Sequence, residues 1–199
     1  MTRNFKVIVA VTFLLTSVAG VSPLWAQRQE PGLKPLSEDQ LIAKLSSPDE
    51  DAVLSAMTSL KLEYRGDANA VAAIKKLLTD SRFRVRDRAA GTLGAFRAAV
   101  NAEDVQAICA LLKENRVDPN LEALKALRSV QGPAVAEAVP EILPFLKNAN
   151  THLMRDACRT LAVIGHKDLI PQIEPLLTNP NLAVRKDAQN AIASLRSKP

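Results

Sequence analysis

Histidine is almost missing from this chain, with only His152 and His166 among 199 residues. They stand 14 residues apart on one helical stretch, about 21 Å at the α-helical rise, too far to share a metal. Cysteine is as scarce, with Cys109 and Cys158 alone, each inside an apolar helical pattern. That usage fits two small core residues rather than a disulfide framework. Cys158 and His152 are six residues apart, a spacing that does not share a helix face, so they make no nucleophile pair. Aromatics are only 4%, which disfavours a β-sandwich or barrel. The seven glycines form no phosphate loop, and neither H-E-x-x-H nor G-x-S-x-G occurs. No catalytic set, metal or cofactor is therefore expected.

Long apolar runs are also absent, with one exception. Residues 7–26 carry no charge and follow Arg3 and Lys6, and "SPLWA" precedes "QRQEPG". This is the layout of a signal peptide over residues 1–26, cut after Ala26, with the product periplasmic or secreted. The same 20-residue span is long enough to remain as an uncut membrane anchor. A membrane contact is expected only in that case. Removing Arg3 and Lys6 lowers the formal charge from +5 to +3, too mild a balance to imply a nucleic-acid partner. Residues 27–37, polar and with two prolines, read as a flexible lead-in.

What is present is repetition. "VPEILPFLKNANTHLMRDACRTLAVIG" starts at Val139 and "IPQIEPLLTNPNLAVRKDAQNAIASL" at Ile170. Pro140 falls on Pro171, Pro144 on Pro175 and Asn148 on Asn179. Allowing a one-residue difference in the turn, Met154-Arg155-x-x-Cys158 falls on Val184-Arg185-x-x-Ala188. "VRDRAAGTLGAF" from Val85 repeats the second half, and weaker copies place Val53 and Asn120 where the others have Arg. Positions 53, 86, 120, 155 and 185 recur with a period near 33.

Each copy reads as two helices with short polar connections. The repeats run about 38–64, 67–97, 103–130, 135–165 and 168–196. Asp49, Asp80, Asp118, Asn150 and Asn181 stand where side-chain oxygens would cap the second helices. A helix pair this short cannot bury its apolar face alone, so five stacked pairs predict an all-α solenoid over residues 38–196. Pro171 suits a first helical turn. Pro175 removes a bond to the Pro171 carbonyl and predicts a bent helix there, as Pro144 does one repeat earlier.

The V-R-x-x-A-x-x-x-L second helix and the D-x-x-P-x-[I/L]-x-x-L-L first helix, Asp168 to Leu177, resemble HEAT repeats. The similarity is greatest to the short HEAT-like repeats of the phycobiliprotein-lyase type. The resemblance implies a right-handed superhelix whose second helices line the concave side. It implies no single activity, since such repeats serve in chromophore lyases, in scaffolds and as modules of larger enzymes.

The helical wheel turns Leu54, Thr58 and Lys61 outward on the first of these second helices, and Asp87, Gly91 and Gly94 on the next. Leu121, Lys125 and Arg128 follow, then Asp156, Thr160 and Val163, then Lys186, Asn190 and Ala193. Such a mixed groove suits a protein or peptide partner. Arg82, Arg84, Arg86 and Arg88 alternate at one helix start, where Arg84 and Arg88 are the candidates for an anionic contact. The expected partner-binding residues are thus Arg84, Arg88, Leu121, Lys125, Arg128, Lys186 and Asn190. The expected function is an exported, non-enzymatic interaction scaffold. The alternatives are a chromophore-lyase-like or chaperone-like factor, or a membrane-anchored accessory module.

Overall fold

The structure, a computed structural model, describes residues 35–114 and 116–198. The leader over residues 1–26 and most of the lead-in lie outside the described residues. Five helix pairs follow one another. They are α1 (Glu38–Lys44) with α2 (Glu50–Glu63), α3 (Ala68–Lys76) with α4 (Phe83–Phe96), and α5 (Ala102–Leu112) with α6 (Val117–Ser129). Then come α7 (Val139–Ile142) with α8 (Thr151–Ile164), and α9 (Ile170–Ile173) with α10 (Leu182–Arg196). Among the described residues no helix is long and apolar enough to cross a membrane.

One register runs through the second helices. The seventh residue after each N-cap is alanine: Ala56, Ala89, Ala123, Ala157 and Ala188. None is more than 2% exposed. The eleventh is Leu60, Leu93, Leu127, Leu161 and Ile192, all buried. The alanines let adjacent helices approach, and the larger residues fill the space one turn on. Each second helix packs on the next, while the first helices meet their neighbours less closely. The second helices are therefore the inner layer of the stack. A single core continues from Leu41 to Leu195.

This register corrects the sequence alignment of the fourth pair. Asn148 accepts the N–H of Asn150, and Asn179 that of Asn181. Asn150 and Asn181 then accept from His152 and Ala183. The shift is 31 residues throughout, the same as between the prolines, and no gap intervenes. Met154, not Arg155, is the counterpart of Arg185, and Ala157, not Cys158, that of Ala188. The side chains agree. Arg86 and Arg185 both donate from Nη1 to the two carbonyls five and six residues back. Arg155 instead reaches forward to α10.

The caps follow the expectation at Asp49, Asn150 and Asn181. Asp80 and Asp118 do otherwise. The N-cap of α4 is Arg82, and Asp80 accepts its backbone N–H from two residues upstream. Asp118 lies inside the first turn of α6. The prolines also act differently from the bent helices expected. Pro140 and Pro171 sit in the first turns of α7 and α9. Each α-helix then stops after four residues, and 3-10 turns continue over Leu143–Lys147 and Glu174–Thr178. Pro144 and Pro175 cannot donate the α-helical bond, so the chain tightens instead of kinking. The four prolines line one groove of about 480 Å³ between the two repeats.

Candidate functional surface on the second helices

With the register fixed, the outward row reads Leu54, Asp87, Leu121, Arg155 and Lys186. One turn on it reads Thr58, Gly91, Lys125, Arg159 and Asn190. The fourth repeat therefore presents Arg155 and Arg159. Asp156 and Thr160, assigned to this face from sequence, are buried at 9% and 0% exposure. Thr160 Oγ1 donates to Leu124 O across the repeat boundary at 2.9 Å, so its role is to join α6 and α8. Leu54 and Leu121 are half-buried against the core rather than exposed, whereas Val163 is 53% exposed.

Arginines and acids interlock across the last three second helices. Arg128 Nη1 meets Asp156 Oδ1 at 3.1 Å. Arg155 Nε meets Asp187 Oδ2 at 2.7 Å, and Arg159 reaches both Asp187 and Asp156. Lys125 Nζ lies 2.7 Å from Glu122. The Glu122 carboxylate, at hydrogen-bonding distance, is the main cause that raises the Lys125 amine. Lys186 and Asn190 remain exposed on α10. The structure thus brings Leu121, Lys125, Arg128, Lys186 and Asn190 onto one layer and adds the arginines of α8 between them.

The alternating arginines disperse. Arg82 is held by Asp80 and the carbonyls of Ser47 and Pro48. Arg84 pairs with Glu50 at 2.6 Å, with Asp51 3.6 Å away. Arg86 pairs with Glu114. These contacts tie α4 to its neighbours. Arg88 is exposed and lines a cleft of about 350 Å³ with Lys61, Asp87, Gly91 and Glu122. Here Asp87 is pushed up to about 6, chiefly by burial and then by the Glu122 charge. One of its carboxylate oxygens is buried without a hydrogen-bond partner among the described residues.

The two interior glycines have separate reasons. A Cβ on Gly94 would stand 3.0 Å from the Ala126 Cα, so close packing of α4 on α6 requires it. A Cβ on Gly91 would meet only the Glu122 carboxylate, at 3.2 Å. Cys109 and Cys158 are buried free thiols. Among the described residues no three His, Cys, Asp or Glu side chains gather as a metal would require.

Arg155 and Arg159 escaped the sequence reading because M-R-x-x-C fits the repeat motif as well as L-M-R-D-A does. The available signal was the uninterrupted 31-residue spacing of two prolines and two asparagines.

Stacked helix pairs with one register and a continuous core define a helical-repeat solenoid. Residues 38–128, which hold the first three pairs, match the family described as HEAT repeats. The complex of CpcE and CpcF of phycocyanin lyase from Nostoc sp. PCC7120 is similar in structure. Its TM-score is 0.68 at 22% identity, covering 91% of this chain and 71% of that one. A designed armadillo repeat protein in complex with the peptide (KR)4 has a TM-score of 0.64 at 19% identity, covering 78% and 80%. An engineered protein has a TM-score of 0.64 at 23% identity, covering 81% and 80%. These likenesses bear on the fold alone. No curated protein sequence matches the chain.

Proposed function

We propose that this protein is an exported, non-enzymatic scaffold that holds a protein or peptide partner along its second helices. The supporting observation is the outward row itself. The last three second helices offer Lys125, Arg155, Arg159, Lys186 and Asn190 on one continuous layer, with ion pairs that hold Lys125, Arg155 and Arg159 in place. Chemistry on a bound substrate needs an acid, a base or a nucleophile converging on one point, whereas this row is extended and mixed in character. An extended mixed surface suits an extended partner. The designed armadillo protein, which is in complex with a peptide, has the same kind of fold.

The test is site-specific photo-crosslinking in the native host, from Lys125 and from Asn190. The expected result is one and the same partner from both positions. Failure to capture any partner from either position would overturn the scaffold reading. Tetrapyrrole binding by the purified protein would replace it with a lyase-type reading. Export has its own measurement, the N-terminus of the protein in the cell. Gln27 is the expected first residue, and Met1 would mean an uncut anchor.

A further inference from the structure

A second cleft, of about 490 Å³, opens where the second helices end. Three arginines from three successive repeats line it: Arg65 after α2, Arg97 after α4, and Arg128 on α6. Among the described residues no acidic side chain belongs to its lining. Arg65 uses Nε to donate to the Ala95 carbonyl at 3.0 Å, which anchors the guanidinium over α4. Arg128 shares its charge with Asp156. Among the described residues neither Arg65 nor Arg97 makes an ion pair, and both are exposed.

Arg97 is also the described non-glycine residue with a positive φ, at 54°. It occupies the left-handed position that ends α4, where glycine is the ordinary choice. The helix terminus therefore carries a guanidinium at a site where backbone geometry favours no side chain. Gly94 belongs to the lining of the cleft, and the exposed Val163 supplies an apolar edge.

We infer that this cleft is a docking site for an acidic peptide segment of a partner protein, whose carboxylates meet Arg65, Arg97 and Arg128 in turn. The inference rests on the scaffold reading and names the chemistry of its partner. Charge complementarity selects the occupant, since guanidinium groups pair with carboxylates through paired N–H donors. Among the described residues no aromatic side chain lines the cleft, so these residues offer none of the stacking platforms on which single-stranded nucleic acid binds.

The test uses the purified protein and a fluorescein-labelled hexaglutamate peptide, followed by anisotropy at low salt. Binding is expected to weaken as salt rises. Arg97→Gly removes the charge at a position glycine tolerates, so the fold is kept. It should weaken binding about fivefold to tenfold, and the Arg65→Gln, Arg97→Gly double variant further. Lys44→Gln, on the far first helix, should leave affinity unchanged. Equal affinity in the wild type and the double variant, or no binding at all, overturns the inference. So does tighter Arg97-dependent binding of an oligothymidine, or salt-sensitive self-association that Arg97→Gly abolishes. If hexaglutamate fails while crosslinking from Lys125 and Asn190 still captures one partner, this cleft is refuted and the scaffold reading stands. If crosslinking fails while hexaglutamate binds through Arg97, the reverse holds.

Discussion

Asp187 on α10 receives Arg155 Nε at 2.7 Å and Arg159 Nη2 at 3.1 Å, so one acid fastens two arginines of the preceding repeat. Asp187 is 8% exposed, and both arginines are more open to solvent. Replacing it with asparagine leaves Arg155 without its counter-charge and Arg159 with only Asp156, 3.7 Å away. The expected loss of stability is about 1–2 kcal/mol, below the range for a fully buried pair because the arginines stay partly hydrated. A double-mutant cycle with Arg155→Gln, read by urea unfolding, should return a coupling of about 1 kcal/mol.

Asp87 ties stability to pH in the opposite sense from a paired carboxylate. Its folded pKa of about 6 lies above the ordinary value of 3.8, first through burial, then through Glu122, with Asp118 and Glu114 adding and Arg88 opposing. The folded state therefore binds more protons than the unfolded state between about pH 4 and 6. Stability contributed by this group is present below that window and lost as pH rises through it. With solvent screening allowed for, the change is on the order of 1–2 kcal/mol. Asp87→Asn should remove this part of the slope and raise the melting temperature at pH 7. An Asp87→Asn variant no more stable than wild type at pH 7 would contradict this account.

Alanine at the two helix glycines should act in opposite directions. Gly94→Ala drives a Cβ into the Ala126 backbone at 3.0 Å and must push α4 from α6. A cost of about 1–3 kcal/mol is expected in spite of alanine's helix propensity. Gly91→Ala meets only a movable carboxylate oxygen at 3.2 Å. There the gain in helix propensity should dominate, at about 0.5–1 kcal/mol. Thermal melts of the pair decide it.

The two thiols should be silent until the protein unfolds. Burial pushes Cys158 up to about 12 and Cys109 up to about 11, with Asp187 and Glu141 adding to each in turn. Thiolate is the reactive form, so a disulfide reagent at pH 8 should titrate both cysteines only in denaturant. Fast labelling of either in native buffer would show that its helix opens locally.

Helix pairing was legible in the sequence because its signals are local. The spacing of Val85, Ala89 and Leu93 marks a buried helix face, and Asn150 and Asn181 mark helix starts through bonds spanning two residues. Repetition made the solenoid readable as well, since each pair must bury the same face against the next. What the sequence left undecided was one step of rotation. A motif of Arg and a small residue three positions later selects Arg155 and Cys158, whereas the true counterparts are Met154 and Ala157. The choice depends on which side chain the neighbouring helices enclose.

That enclosure is a property of the stack. It buries Asp156 and Thr160, turns Arg155 and Arg159 outward, and pairs them with an acid 28 to 32 residues away. The same holds for the prolines. Pro144 and Pro175 announced a lost backbone bond, and packing then settled the outcome as a 3-10 turn instead of a kink. Local hydrogen bonding and periodicity fixed the elements of this protein. Contacts between repeats, which no single repeat contains, decided the surface it presents.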